Sequence, residues 1–300
     1  MKIHVTASAF AGEDWRNKLN ECRDFTEQCG WEFGVQLHNT SPMELLERLK
    51  KENVPLSVHA PFNQNRNWNL ATENTKETFE AIEQNLTLFD SLNIHETVFH
   101  GGLMSDLSPE AFGHGKSYFE CMQAVYRNEL AMWDGHCLNR DFRDLPEYKE
   151  RLLILKENLR TLRNRYPEFT ICLENDYPAF GSLDMLFDEL NTLEHPLCLD
   201  TGHLWISSFL FDLNFHDQIE LAMGSGMVAM THFHASYCTS AVPKKDWTDG
   251  HRRLNVDNQE MNLPAALALM KKGGLEFYVL EIAKATVEDI KIFKQWYDEA

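Results

Sequence analysis

The stretch Leu197-Cys198-Leu199-Asp200-Thr201-Gly202-His203 holds in miniature the pattern that organises the whole chain. A short apolar run ends in a carboxylate, and a glycine and an imidazole follow at once. Runs of this length bounded by turn residues read as buried strands. Working outward, comparable runs occupy Ile3–Ala9, Phe33–Leu37, Leu56–His59, Thr97–His100, Phe169–Glu174, Val228–His234 and Phe277–Ile282. Between them apolar residues recur at helical spacing: Leu45, Leu46 and Leu49; Phe79, Ile82, Leu86 and Phe89; Leu152, Leu155, Leu159 and Leu162. Ser41-Pro42-Met43-Glu44 has the form of a capping box with proline at the first helical position. Ser182 is expected to open a helix carrying Leu183, Leu186, Leu190 and Leu193, and Thr286 to cap a last one that turns Ile290, Phe293 and Trp296 inward.

Strands alternating with helices along the whole chain predict an α/β protein, a single-domain (β/α)8 barrel. The rival, a doubly wound open sheet, lacks its glycine-rich phosphate loops here. One region breaks the rhythm. Residues 103–145 separate the fourth strand from the next strong helix, whereas a βα connection is ordinarily a few residues long. This stretch carries Phe112, Tyr118, Phe119, Tyr126, Trp133 and Phe142. It reads as an insertion, helical in part over Tyr118–Met132, and is expected to form a lid over the barrel mouth.

Of the 300 residues 43% are hydrophobic and 25% charged, which excludes disorder and low-complexity scaffolds. No segment approaches the roughly 20 apolar residues of a membrane helix, and no signal-peptide layout precedes the first strand. The seven cysteines form no Cys-x-x-Cys pair, and a reduced, cytoplasmic setting is expected. Acidic residues outnumber basic ones 46 to 28, giving a net charge of −18. That field disfavours polyanions, so nucleic acid is not the expected partner.

The chemistry shows in what ends each run. Strand three ends in His59-Ala60-Pro61, strand four in His100-Gly101-Gly102, strand five in Glu174-Asn175, strand six in Asp200-Thr201-Gly202-His203 and strand eight in Glu281, while strand seven carries His232-Phe233-His234. In a parallel barrel these ends share one opening. Carboxylates and imidazoles crowded there need a cation to offset their repulsion and desolvation. The donor set suits zinc, manganese and related divalent ions. Asp249-Gly250-His251 adds a further pair of donors. His232 and His234 share one face of a strand; both are candidate ligands, with His232 favoured by position. Gln36 and His38 end strand two and are candidates to line the mouth, as is Arg252 to bind substrate.

These motifs resemble the xylose-isomerase-like TIM barrels, a superfamily of sugar isomerases and epimerases that also includes the endonuclease IV branch of apurinic-site nucleases (AP endonuclease family 2). The resemblance rests on His59-Ala60-Pro61, Phe99-His100-Gly101-Gly102, Leu173-Glu174-Asn175, Leu199-Asp200-Thr201-Gly202-His203, Asp249-Gly250-His251 and Glu281, with Asn69-Leu70-Ala71 pointing to the endonuclease branch. It implies one of two arrangements, with one to three divalent ions per chain (Zn, Mn, Co or Mg). In the isomerase arrangement Glu174, Asp200, His232 and Glu281 hold one ion. Glu174 and Glu281 then move a proton through an enediolate, and His203 and His234 contact a small sugar, polyol or sugar phosphate. In the endonuclease arrangement three zinc ions share nine ligands: His59, His100 and Glu174; Glu174, Asp200, His232 and Glu281; and His203, Asp249 and His251. Barrels of this type are commonly homo-oligomers.

The chain departs from the endonuclease pattern after strands seven and eight, where His232-Phe233-His234-Ala235 and Glu281-Ile282-Ala283 replace the usual His-Leu-Asn-Asp and Glu-Thr-Pro segments. Duplex DNA also needs an open basic surface. The basic residues expected on this face are Arg66, Lys116, Lys244, Lys245, Arg252 and Arg253, which suit a single phosphate of a small substrate equally well. The sequence thus favours an isomerase or epimerase of a small carbohydrate, with a zinc phosphodiesterase or a non-catalytic metal-binding barrel as alternatives.

Overall fold

A computed structural model describes residues 1–300. Eight parallel strands close a barrel in chain order: β1 Lys2–Thr6, β2 Glu32–Leu37, β3 Leu56–His59, β4 Glu96–Phe99, β5 Thr170–Glu174, β6 Leu197–Asp200, β7 Val228–His232 and β8 Phe277–Leu280. The helices are α1 Trp15–Gln28, α2 Met43–Lys51, α3 Lys76–Ser91, α4 Tyr118–Met122, α5 Pro146–Arg165, α6 Phe187–Leu190, α7 Thr201–Leu210, α8 Phe215–Gly224, α9 Leu263–Lys272 and α10 Val287–Glu299. The expected (β/α)8 barrel is the fold. No helix is long and apolar enough to cross a membrane.

Strand alternation places the site. Val98, Cys172, Cys198, Met230, Phe277 and Val279 form a small apolar cluster of their own, apart from the main core between strands and helices. It is the floor of the barrel interior, completed by the buried pair His4 Nδ1 and Ser57 Oγ at 2.9 Å. A step of two residues keeps a side chain on the same face. His59 therefore stands above Ser57, His100 above Val98, Glu174 above Cys172, Asp200 above Cys198, His232 above Met230 and Glu281 above Val279. Strand register fixes their relative heights, with Glu174 opposite Cys198, Asp200 opposite His232 and His232 opposite Val279.

Several local expectations are corrected. β1 stops at Thr6 and passes into a 3-10 turn, and β7 stops at His232, leaving His234 beyond the strand. Ser41 does not cap α2. Its hydroxyl accepts from the His38 amide at 3.0 Å to close a turn, and Pro42 occupies the cap position. No helix begins at Ser182. The backbone is left-handed at Phe180, Gly181 and Asp184, and Ser182 bridges to Leu103 while its hydroxyl donates to the Tyr177 carbonyl at 2.6 Å. Only the short α6 and a 3-10 turn at Asn191–Leu193 form there. Thr286 does cap α10, in a reciprocal box with Asp289.

Residues 103–145 contain α4, two 3-10 turns (Gln123–Val125 and Asn128–Leu130) and irregular chain. Buried Met104, Met122, Val125, Leu130, Leu138 and Phe142 join the insertion to the main core. Isolated bridges tie it to both flanks, Arg66 with Glu110 on one side and Leu138 with Ala179 on the other. Tyr118 and Phe119 both pack edge-on against Phe180. The segment is thus a packed wall at one side of the mouth.

Candidate metal centre and active site

The strand ends converge as a single connected cluster. Glu174 is at its middle, fully buried among imidazoles. Its Oε1 lies 2.5 Å from His232 Nδ1, and its Oε2 lies 3.1 Å from His59 Nε2 and 3.5 Å from His100 Nε2. His232 Nδ1 is also 3.2 Å from Glu281 Oε2 and 3.9 Å from Asp200 Oδ2. On the far side Asp249 Oδ2 lies 2.8 Å from His251 Nε2 and 3.3 Å from His203 Nε2, and His251 Nε2 lies 3.7 Å from Glu281.

Backbone contacts aim these groups. Asp200 caps α7, its Oδ1 accepting the His203 amide at 2.6 Å, so the carboxylate and the imidazole one turn on are locked together. Asn175 Oδ1 accepts the Asp200 amide at 2.7 Å, and His203 Nδ1 lies 2.9 Å from the Asn175 carbonyl, turning Nε2 toward Asp249. His251 has a left-handed backbone (φ 42°), an uncommon state for a non-glycine residue. This bend lets its amide donate to His234 Nδ1 at 2.9 Å while its ring faces Asp249.

That same hydrogen bond separates the two strand-seven histidines. Nδ1 of His234 takes the His251 amide, and Nε2 lies 3.1 Å from Asp200 Oδ2. His234 is fully buried with both nitrogens engaged. It orients Asp200 and is not among the residues that line the cavity. Gly202 is required beneath it, because a Cβ there would lie 2.1 Å from His234 Cε1.

The electrostatics follow from this crowding. Burial alone would lower the affinity of His232 for a proton, yet Glu174 and Glu281 raise its pKa to about 9. Burial likewise opposes protonation of His251 and His203, but Asp249 and Glu281 carry His251 to about 10, and Asp200 and Asp249 hold His203 well above the usual imidazole range. Burial would raise the carboxylic acids, but the imidazoles bring Glu174 and Asp249 well below their ordinary values and Asp200 below its own. Protons on histidine thus take the place of a cation, and a divalent ion would displace them. The residues fit such an ion. Buried His232 Nε2 and Asp249 Oδ1 have no hydrogen-bond partner. Donor atoms of His59, His100 and Glu174, and of His59, His232 and Glu281, lie within 4.8 Å of one another in each group.

The cluster opens into a cavity of about 320 Å³. Its floor is His59, His100, Glu174, His203, Asp249, His251 and Glu281; its walls are His38, Phe112, Tyr118, Phe119, Asp176, Tyr177 and Thr248. Gln36 and Arg252 are not among the lining residues. Gln36 is buried one step below His38, and Arg252 is exposed, its guanidinium 4.6 Å from the Tyr237 ring. The other basic residues are engaged outside the cavity: Arg66 with Glu77, Lys116 with Glu110, Lys244 with Asp212 and Arg253 with Asp289. Lys245 is an exposed side chain of a surface turn. Trp68 and Trp247 are packing residues, Trp247 stacked at 3.7 Å on Phe209. Asp176 was not anticipated, although it stands two residues beyond Glu174 on the same alternation.

Comparison with known proteins meets the site at this point. The model of the family described as xylose isomerase-like TIM barrel matches residues 24–296. The chain belongs to that family. Among solved structures it is similar to a D-tagatose 3-epimerase-like protein (17% identity, TM-score 0.61, covering 100% of this chain and 98% of the other). It is also similar to the apo form of 3-keto-D-glucoside 4-epimerase from E. coli (12%, TM-score 0.55, 100% of both chains). A third, AP endonuclease family 2 from Brucella melitensis, shares 12% identity at TM-score 0.50, with 98% of each chain covered. Identities this low establish the shared fold. No curated protein matches the chain in sequence.

Proposed function

We propose that this protein is a divalent-metal-dependent enzyme that isomerises or epimerises a small carbohydrate. One observation carries the reading: the strand-end donors face a cavity of monosaccharide scale, about 320 Å³, with an aromatic wall on one side. Glu174, Asp200, His232 and Glu281 would hold the ion. When bound, zinc, manganese, cobalt or magnesium supplies Lewis acidity toward a carbonyl and its neighbouring hydroxyl. The chain's residues do the rest. Glu174 and Glu281 flank His232 Nδ1 from two sides, at 2.5 and 3.2 Å, so one carboxylate can take the proton from a substrate carbon and the other return one, through an enediolate. His203 faces the cavity with Nδ1 fixed on the Asn175 carbonyl, leaving Nε2 for Asp249 or a substrate hydroxyl. Phe112, Tyr118 and Phe119 border the cavity on that side.

A second reading has its own support. His59 and His100 on one side of Glu174, and His203, Asp249 and His251 on the other, extend the four-residue core into nine donors. Three zinc ions there would make a phosphodiesterase of endonuclease IV type. The absence of any lysine or arginine from the cavity lining weighs against a nucleic-acid substrate.

The test is uptake of solvent deuterium at a substrate carbon across a ketose panel, with chelator-stripped protein as control. Metal-dependent uptake is expected. Cleavage of an abasic-site duplex by the zinc-loaded protein, without deuterium uptake, would replace this reading with the second.

A further inference from the structure

The cavity contains four carboxylates, Glu174, Asp176, Asp249 and Glu281, and no lysine or arginine. Three of them belong to the donor cluster. Asp176 stands where the cluster meets the insertion, one of its oxygens within 4.8 Å of donor atoms of His100 and His203. Its side chain is 10% exposed, Oδ1 accepts the Tyr177 amide at 2.7 Å, and the same oxygen lies 3.2 Å from His100 Nδ1. No protein donor serves Oδ2. Opposite the donors, Phe112 packs edge-on against Tyr118 at 5.9 Å, and Tyr118 against Phe119 at 6.3 Å. Asp176 also borders a small side pocket of about 30 Å³ with Trp68, Leu103, Phe112, Tyr118 and Met122, so the carboxylate meets ligand where polar floor turns to aromatic wall.

Resting on the isomerase or epimerase reading, we propose that Asp176 sets substrate class: its free oxygen accepts hydroxyls of an uncharged polyol, and the cavity turns away phosphorylated and carboxylated sugars. A carboxylate accepts hydrogen bonds from hydroxyl groups readily. An aromatic wall suits the C–H face of a sugar ring, and the T-shaped packing holds that wall in place. A phosphate dianion, by contrast, requires cationic or amide donors, and none lines this cavity except the metal-site histidines. Each basic residue whose partner is known is held outside the cavity.

The experiment uses the zinc-loaded full chain and two matched pairs, D-fructose with D-fructose 6-phosphate and D-xylulose with D-xylulose 5-phosphate. Binding is followed by saturation-transfer NMR, and deuterium uptake is read on the same samples. The free ketose of a pair is expected to bind at least about tenfold more tightly than its phosphate. Asp176→Asn is expected to weaken the free ketose and narrow that ratio, and Asp176→Lys to invert it. Zinc content and circular dichroism establish that each variant is folded and loaded. Phosphates binding as well as free ketoses, or an unchanged ratio in a folded Asp176→Asn protein, would overturn the proposal. Deuterium uptake from a phosphate ester alone would do so while leaving the isomerase reading intact. Failure of every compound to bind or exchange would remove both.

Discussion

In the ring of strand ends, ionisable groups crowd against one another with little apolar cover: one imidazole nitrogen, His232 Nδ1, has three carboxylates within 3.9 Å. In the insertion beside it, at residues 103–145, the contacts are of the other kind. Leu130, Leu138 and Phe142 are buried, Tyr118 and Phe119 lean on Phe180, and Arg127 and Arg143 reach exposed or half-buried carboxylates. The insertion is held by apolar burial, bridges to both flanks and peripheral ion pairs. The ring is a compact set of like charges that needs protons or metal to hold together. The candidate metal donors are thus concentrated in the region that is electrostatically least comfortable, beside a region that packs as an ordinary core.

Substitutions that hit one region and spare the other test that division. The largest effect is expected from Glu174→Gln, which removes the carboxylate shared by His59, His100 and His232. Its exchange rate should fall by about 10²–10⁴, with the fold kept, as read by deuterium uptake and circular dichroism. Replacing His234 with Phe should lower metal affinity by about 10–100-fold, because Asp200 loses the donor that orients it. Metal titration measures this, and a loss as complete as that of His232→Phe would show His234 to be a direct ligand. Leu138→Ala in the insertion should cost about 2–5 kcal/mol in stability by opening a cavity, with metal affinity unchanged in chemical unfolding and metal titration run side by side. Phe119→Ala, at a rim position 54% exposed, should leave stability within about 0.5 kcal/mol and change substrate affinity only a few-fold.

The two regions also differ in pH response. His232 and His251 titrate in the metal-free fold near 9 and 10, above the ordinary imidazole value of 6.5. Their contribution to stability is fully present below the unfolded value and lost as pH rises through 9 to 10. Glu174, Asp200 and Asp249 are depressed, so theirs is present above the unfolded carboxylate values of about 4 and lost on acidification. The metal-free protein should therefore melt progressively earlier from pH 6.5 to 10. The metal-loaded protein should not, because the ion has displaced those protons. Equal alkaline slopes in both would contradict the link between cluster and ion.

The ring was legible in the sequence because strand alternation is strict. Once Cys198 and Cys172 are read as interior, Asp200 and Glu174 must be interior too, one layer higher. The same rule applied to Asp176 would have found it, had β5 been followed past its last hydrogen bond. His234 was harder, since its role depends on an amide donated by His251 from a left-handed backbone that nothing in the residue type announces. The stretch after Ser182 was misread for a related reason. Its leucines fall at helical spacing, but left-handed Phe180 and Asp184 and the cross-links to Leu103 and Tyr177 override that periodicity. The insertion carried the weakest signal, because irregular chain packed on aromatic side chains has no period to read.

The central claim is that the strand-end cluster exchanges protons for a divalent ion. Zinc titration of chelator-stripped protein in weakly buffered solution at pH 7.5, following bound metal and released protons together, tests it most directly. At least one ion per chain with proton release on binding, both abolished in Glu174→Gln, is the predicted result. Failure to bind zinc, or binding without proton release and indifferent to Glu174, would contradict it.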